Sequence, residues 1–167
     1  MSFLLFPNQK LPTYIIRVKR IVLSNRTWLW CRLPYPGHPK GCPNYGKTSR
    51  CPPKAPGLGG YFDLSRPLYL VVAEFDLEGH ARRMKHEHPW WSDRQCRCVL
   101  YWQGTARKLL KTRSEEAMEI LGADTGTSCP EAMGLNVFAT AALSGIKLEK
   151  TSKLKTSRHV ALVGWRN

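Results

Sequence analysis

The stretch from Leu33 to Pro67 constrains this chain more than any other feature, because it holds eight of the twelve prolines and six of the thirteen glycines. Proline fixes φ and withdraws a backbone donor, so neither a helix nor an interior strand survives that density. An irregular excursion of such length inside a compact domain is normally held by something or used for something. Cys31, Cys42 and Cys51 sit at its edge or within it, in the run CRLPYPGHPKGCPNYGKTSRCPP. A metal centre supplies the cross-link that a loop without a core cannot obtain by burial. The excursion is assigned to residues 31–67 of a single domain covering 1–167, since 167 residues match one domain.

The other cysteines are Cys96, Cys98 and Cys129. Cys-Pro recurs at Cys42-Pro43, Cys51-Pro52 and Cys129-Pro130. A proline after a ligand removes a donor and keeps the turn open, as at the end of ferredoxin-type cluster motifs. Cys96-Arg-Cys98 is too tight for a C-x-x-C chelate turn and offers one ligand with a spare thiol. All six cysteines are candidate metal ligands. No pair has C-x-x-C spacing, which ranks an iron–sulfur cluster, in its 4Fe–4S form, ahead of structural zinc. The competing readings are small buried thiols that pack as hydrophobes, and a redox disulfide.

The run GCPNYGKTSRCPP, followed by PEAMGLNVFATAALSGIKLE and a last strand, resembles an uncharacterised family of predicted metal-binding proteins. The pattern of that family is GCPxYGxxxxCPP and then EAxGxxVFxTA. The matching positions are Cys42, Pro43, Tyr45, Gly46, Cys51, Pro52 and Pro53, then Glu131, Ala132, Gly134, Asn136, Val137, Phe138 and Thr140. The resemblance implies an iron–sulfur cluster or another metal and leaves the reaction open. The chain departs from the pattern in three places. Cys96-Arg-Cys98 is poorer than the family's middle cluster, Cys129 stands where proline or serine is expected, and Asn136 replaces an acid.

Charge points to the partner. The formal net charge is +14, and residues 1–62 carry ten Lys/Arg and no Asp or Glu. Residues 114–146 reverse this, with five acids and no Lys/Arg. One strongly positive face implies an anionic partner, a nucleic acid or nucleotide above all, with an acidic protein partner as the other option. Trp90 and Trp91, followed by Arg94 and Arg97, suit base stacking beside guanidinium groups. Arg107, Lys108 and Lys111 follow Tyr101-Trp102 on a helix start, a natural phosphate seat. His80, His86 and His88 lie among Arg82, Arg83 and Lys85, where they supplement a metal site or simply form a wet basic face. Lys147–Arg158 reads as a basic turn, and Gly57–Gly60 as a flexible one. No serine elbow, Walker motif or dinucleotide fingerprint is present.

The remaining chain alternates strand and helix signals. Tyr14–Leu23 and Leu68–Leu77 read as strands, the second central. Residues 78–87, 105–121 and 131–143 read as helices. Ile146–Glu149 and His159–Trp165 read as a closing strand pair. The expected fold is therefore α/β or α+β: one small mixed sheet packed with two or three helices, with a long Pro/Gly-rich metal-binding loop. No apolar run spans a bilayer, and Met1–Phe6 lacks a signal-peptide pattern. Cysteines without a secretory signal place the chain in the reducing cytoplasm. The functional expectation is an iron–sulfur or other metal protein with a basic surface, handling sulfur or electrons on a nucleotide or nucleic acid. The alternative is a zinc-stabilised, non-catalytic nucleic-acid-binding module or accessory subunit, so enzymatic activity is left open.

Overall fold

The computed structural model of the chain describes residues 10–35, 37–149 and 155–167. The fold is α+β, built on one sheet of order β1-β2-β4-β3. These strands are Ile15–Arg17 (β1), Tyr69–Asp76 (β2), Thr125–Thr127 (β3) and Thr156–Gly164 (β4). β2 and β4 pair along their length, from Tyr69 opposite Val163 to Asp76 opposite Thr156. All three strand pairings are antiparallel, so the mixed sheet expected from the sequence is antiparallel throughout.

Side-chain alternation on β2 and β4 divides the core in two. Val71, Ala73, Ala161 and Val163 face the long helix α4, Gln103–Leu121, and pack against its Leu110, Ala117 and Leu121. Leu70 and Leu162 face the other way, onto Leu58, Phe62, Met133, Leu135, Val137 and Ala141. Gly164 is required by this second layer. A Cβ there would stand 2.5 Å from Leu68 Cδ2 and 3.1 Å from Phe62 Cδ1, and both side chains are buried.

The helices follow local signals. Leu77–Glu87 (α2) is capped by Asp76, whose carboxylate accepts from the Gly79 N–H at 2.8 Å. Asp93–Cys96 (α3) begins with a capping box between Ser92 and Gln95. α4 stops at Gly122, whose φ of +64° suits glycine. The helix expected over 131–143 is broken in two. A 3₁₀ turn, Pro130–Met133, ends at Gly134 with φ +90°, and α5, Val137–Leu143, restarts under an Asn136 cap.

Four further expectations change. The strand over Tyr14–Leu23 is ordered as strand only at Ile15–Arg17, because beyond it the chain leaves β2 for a different partner. Val18 donates to the Leu68 carbonyl, and then Ser24 donates to Gly134 and Asn136 to Val22, each at 2.8 Å. Ile146–Glu149 is not a strand; Thr125–Thr127 takes that edge of the sheet. Within 31–67, Leu58–Tyr61 forms a short helix, α1, because Leu58 and Phe62 plug the core, so Gly57–Gly60 is not a free turn. Met1–Phe6 and residues 150–154 of the Lys147–Arg158 turn lie outside the described residues. Among the described residues no helix is long and apolar enough to cross a membrane.

Candidate metal centre

The Cys-bearing stretch is a chain of turns closed on itself. Cys31 rides on the 3₁₀ turn Thr27–Arg32, which is pinned by the buried Thr27. The Thr27 hydroxyl donates to the Glu131 carbonyl at 2.8 Å, with the Ser24 carbonyl at 3.2 Å. Trp30 packs edge-on against Phe138 of α5, with centroids 5.8 Å apart. These contacts set the Cys31 turn against the turn that Cys129 caps.

Cys42 is clipped to Cys31 directly, its N–H donating to the Cys31 carbonyl at 2.7 Å. Gly41 makes this approach possible: its φ is +84°, and a Cβ would lie 2.5 Å from the Cys31 carbonyl oxygen. The GCPNYG run then turns back, with Tyr45 donating to the Cys42 carbonyl. Gly46 donates to the Pro52 carbonyl at 2.8 Å and so closes the segment carrying Cys51. The peptide Pro52-Pro53 is cis. Thr48 donates its hydroxyl to the Cys51 sulfur at 3.0 Å.

Four thiols share one electrostatic neighbourhood as a result. Burial pushes the Cys31 thiol up to about 11, and the charges of Cys42, Cys129, Glu131 and Cys51 add to that rise. Cys129 is exposed as a residue but desolvated at its thiol. That desolvation raises it, with Glu131, Cys51 and Cys42 contributing, against a lowering hydrogen bond from Ser128. Burial also holds the Glu131 carboxyl above its ordinary range. The neighbouring charges that raise Cys31 and Cys129 are of the kind a cation relieves, since its binding inverts the local balance.

A thiolate-bound metal is the group that the cysteine pattern implies, and thiols are the type of donor it takes. Cys42, Cys51 and Cys129 stand on separate turns within electrostatic reach of Cys31, in a stretch with little core of its own. Between Leu33 and Gly57 the only buried residues among those described are Gly41 and Pro52. No three His, Cys, Asp or Glu side chains among the described residues are already gathered as a ready ligand set. No disulfide joins the cysteines, and all six are free thiols.

The other expected residues lie elsewhere. Cys96 is 1% exposed in the wall between α2 and α3. With Glu78, Ala81, Arg82, Lys85, Asp93 and Arg97 it lines a cavity of about 240 Å³. Neither Cys96 nor Cys98 is among the charges acting on Cys31 or Cys129. Of the basic set, Arg97 pairs with Asp93 at 3.0 Å and Lys111 with Glu115 at 3.8 Å, while Arg94, Arg107 and Lys108 are exposed. Trp91 is partly buried in a ring stack, whereas Trp90 stands out. Trp102, at the start of α4, is buried against Phe75. Glu131 is the residue that a ligand search by cysteine overlooks; its one signal is the Cys-Pro-Glu run that places it two positions after Cys129. No family model, curated protein or solved structure matches the chain.

Proposed function

We propose that this is a metal–thiolate protein whose centre is an iron–sulfur cluster held by Cys31, Cys42 and Cys51, with Cys129 as the fourth sulfur. The domain around it is strongly basic and acts on a nucleotide or nucleic acid, in a step that moves sulfur or electrons. One observation carries the reading: the Cys42 N–H to Cys31 carbonyl bond and the Thr27 hydroxyl to Glu131 carbonyl bond set the turns of Cys31, Cys42 and Cys129 against one another, beside a stretch that buries only Gly41 and Pro52 among its described residues. The resemblance in GCPNYGKTSRCPP and EAMGLNVFAT points the same way. When bound, such a cluster supplies electron transfer with all four sulfurs in place, or an open iron for sulfur where only Cys31, Cys42 and Cys51 hold it. The chain's own part is to bring the thiols together through the Thr27, Gly41 and Gly46 contacts, and to keep Glu131 beside them. Free thiols agree with a reducing compartment, the cytoplasm.

The alternative is a zinc-stabilised nucleic-acid-binding module, without catalysis, or an accessory subunit. It takes the same four sulfurs, since structural zinc is closed by four thiolates and leaves no position for a substrate. Anaerobic purification with metal analysis and a visible spectrum separates the two. Iron with sulfide and a broad band near about 400 nm supports the first reading. A colourless protein with stoichiometric zinc selects the second. Protein that binds neither metal removes both.

A further inference from the structure

After α2 the chain turns at Pro89 into Trp90 and Trp91, and the two indoles part ways. Trp91 is held in place. Its ring stacks on His88 with centroids 4.1 Å apart and on Tyr101 at 5.2 Å, at interplanar angles of 19° and 24°. Lys85 Nζ donates to the Trp91 carbonyl at 2.6 Å and to the Pro89 carbonyl at 2.7 Å, which locks the backbone of the turn. Trp90 meets His88 edge-on at 5.7 Å and is 77% exposed. Leu100 and Tyr101 of the same corner are more than half exposed. A rigid turn that presents a bare indole to water leaves a large apolar face without its partner.

The sequence on either side of this corner is rich in cations. Residues 79–113 carry nine Lys/Arg against Glu87 and Asp93. Arg82, Arg83, Arg94, Arg107 and Lys108 are exposed and enter no ion pair among the described residues. Arg82 and Lys85 line the cavity that also takes Arg97. The thiol-bearing loop abuts the corner as well, since a Cβ on Gly37 would lie 3.3 Å from Leu100 Cδ1.

We propose that Trp90 is a stacking platform for the bases of a single-stranded nucleic acid, whose phosphates are met by Arg82, Arg94 and their neighbours. A duplex keeps its base faces inside the stack, and an acidic peptide satisfies the cations without offering a plane to the indole. The inference names the partner class of the proposed function and rests on the basic-surface half of that reading. It also divides the tryptophan pair expected from the sequence: Trp90 contacts the ligand, and Trp91 stiffens the turn that presents it.

The test measures anisotropy of a dye-labelled oligo-dT and oligo-U of about a dozen nucleotides, with a matching duplex, against the full chain over a salt series. Trp90→Ala weakens single-strand binding about 5- to 150-fold, while Trp90→Phe keeps most of it. The slope of log affinity against log salt is unchanged by Trp90→Ala and falls by about 0.7 for each phosphate that Arg82→Gln or Arg94→Gln leaves unneutralised. Equal binding by wild type and Trp90→Ala overturns the proposal. So does a duplex bound as tightly as the single strand, or polyglutamate competing as well as oligo-dT. Metal content is assayed on the same preparations. A variant that keeps its metal and loses the strand touches this inference alone, and wild type that binds the strand without metal sinks only the thiolate reading.

Discussion

Gly41→Ala probes the clip that brings Cys42 to Cys31, and the structure sets the size of the effect. At φ +84° an L-residue sits in the left-handed region, which costs about 1–2 kcal/mol. The new Cβ would also stand 2.5 Å from the Cys31 carbonyl oxygen and 2.7 Å from the carbonyl carbon and Cα of Arg32. These are backbone atoms and have no rotamer to retreat into. The two strands of the clip part, and the Cys42 N–H to Cys31 carbonyl bond goes with them, a loss of about 1 kcal/mol. The sum is about 2–3 kcal/mol, which weakens metal binding about 30- to 150-fold.

Two further variants calibrate that figure. Gly46 has φ +73° and nothing within 4 Å of a Cβ, so Gly46→Ala carries only the backbone cost, about 5- to 30-fold. A Cβ on Gly60 meets only Pro56 Cβ, at an ordinary 3.8 Å, so Gly60→Ala leaves affinity unchanged. Competition of cobalt(II) against a chelator, read from thiolate–cobalt absorbance, measures all three on one scale. The thermal midpoint moves little throughout, since the loop shares little of the core. Gly41→Ala binding metal as Gly60→Ala does would refute the reasoning.

Cys96→Ala removes a buried sulfur from the wall between α2 and α3 and costs roughly 1 kcal/mol of stability with the metal retained. Alanine at Cys31, Cys42 or Cys51 has the opposite profile, and a Cys96→Ala protein that loses its metal would contradict the division drawn between the cysteines. Acid weakens the fold through His80 and His159. Burial holds both below the ordinary 6.5, helped by Arg83 at His80, where Glu87 opposes, and by Arg107 at His159. His80 Nε2 is buried with no hydrogen-bond partner among the described residues. The unfolded chain therefore takes up more protons in this window, so stability is complete above about pH 6.5 and falls as the pH drops through the folded values. Urea midpoints measured across that window show the decline, and His80→Gln with His159→Gln flattens it.

Elements made by local pattern were legible in the sequence. The apolar run at 68–77 is β2 within a residue at each end, and the helix expected over 105–121 is α4, begun two residues earlier. Patterns overridden by distant contacts were not. Thr125-Gly126-Thr127 has no apolar alternation, yet it pairs with β4 because Gly126 admits close neighbours. A Cβ at that position would come within 3.3 Å of the Leu162 carbonyl oxygen and Val163 Cγ2. The split of the 131–143 helix did have a signal, Gly134 followed by Asn136, which periodicity ignores and capping chemistry reads.

The candidate site follows the same division. Within the loop, Cys42 and Cys51 are tied by turns that Gly41, Gly46 and the prolines encode nearby in sequence. Cys129 joins them only because Thr27 reaches the Glu131 carbonyl and Ser24 reaches Gly134, contacts spanning more than a hundred residues. Those bonds use a buried hydroxyl and backbone groups, which leave no composition signature. Different contacts place Cys96: Lys85 of α2 donates to the Trp91 carbonyl just before α3, and the Cys96 side chain is buried in the α2–α3 wall. Sulfur count alone pools all six cysteines, whereas the path of the backbone sets Cys42 against the Cys31 turn and Cys96 in the α2–α3 wall.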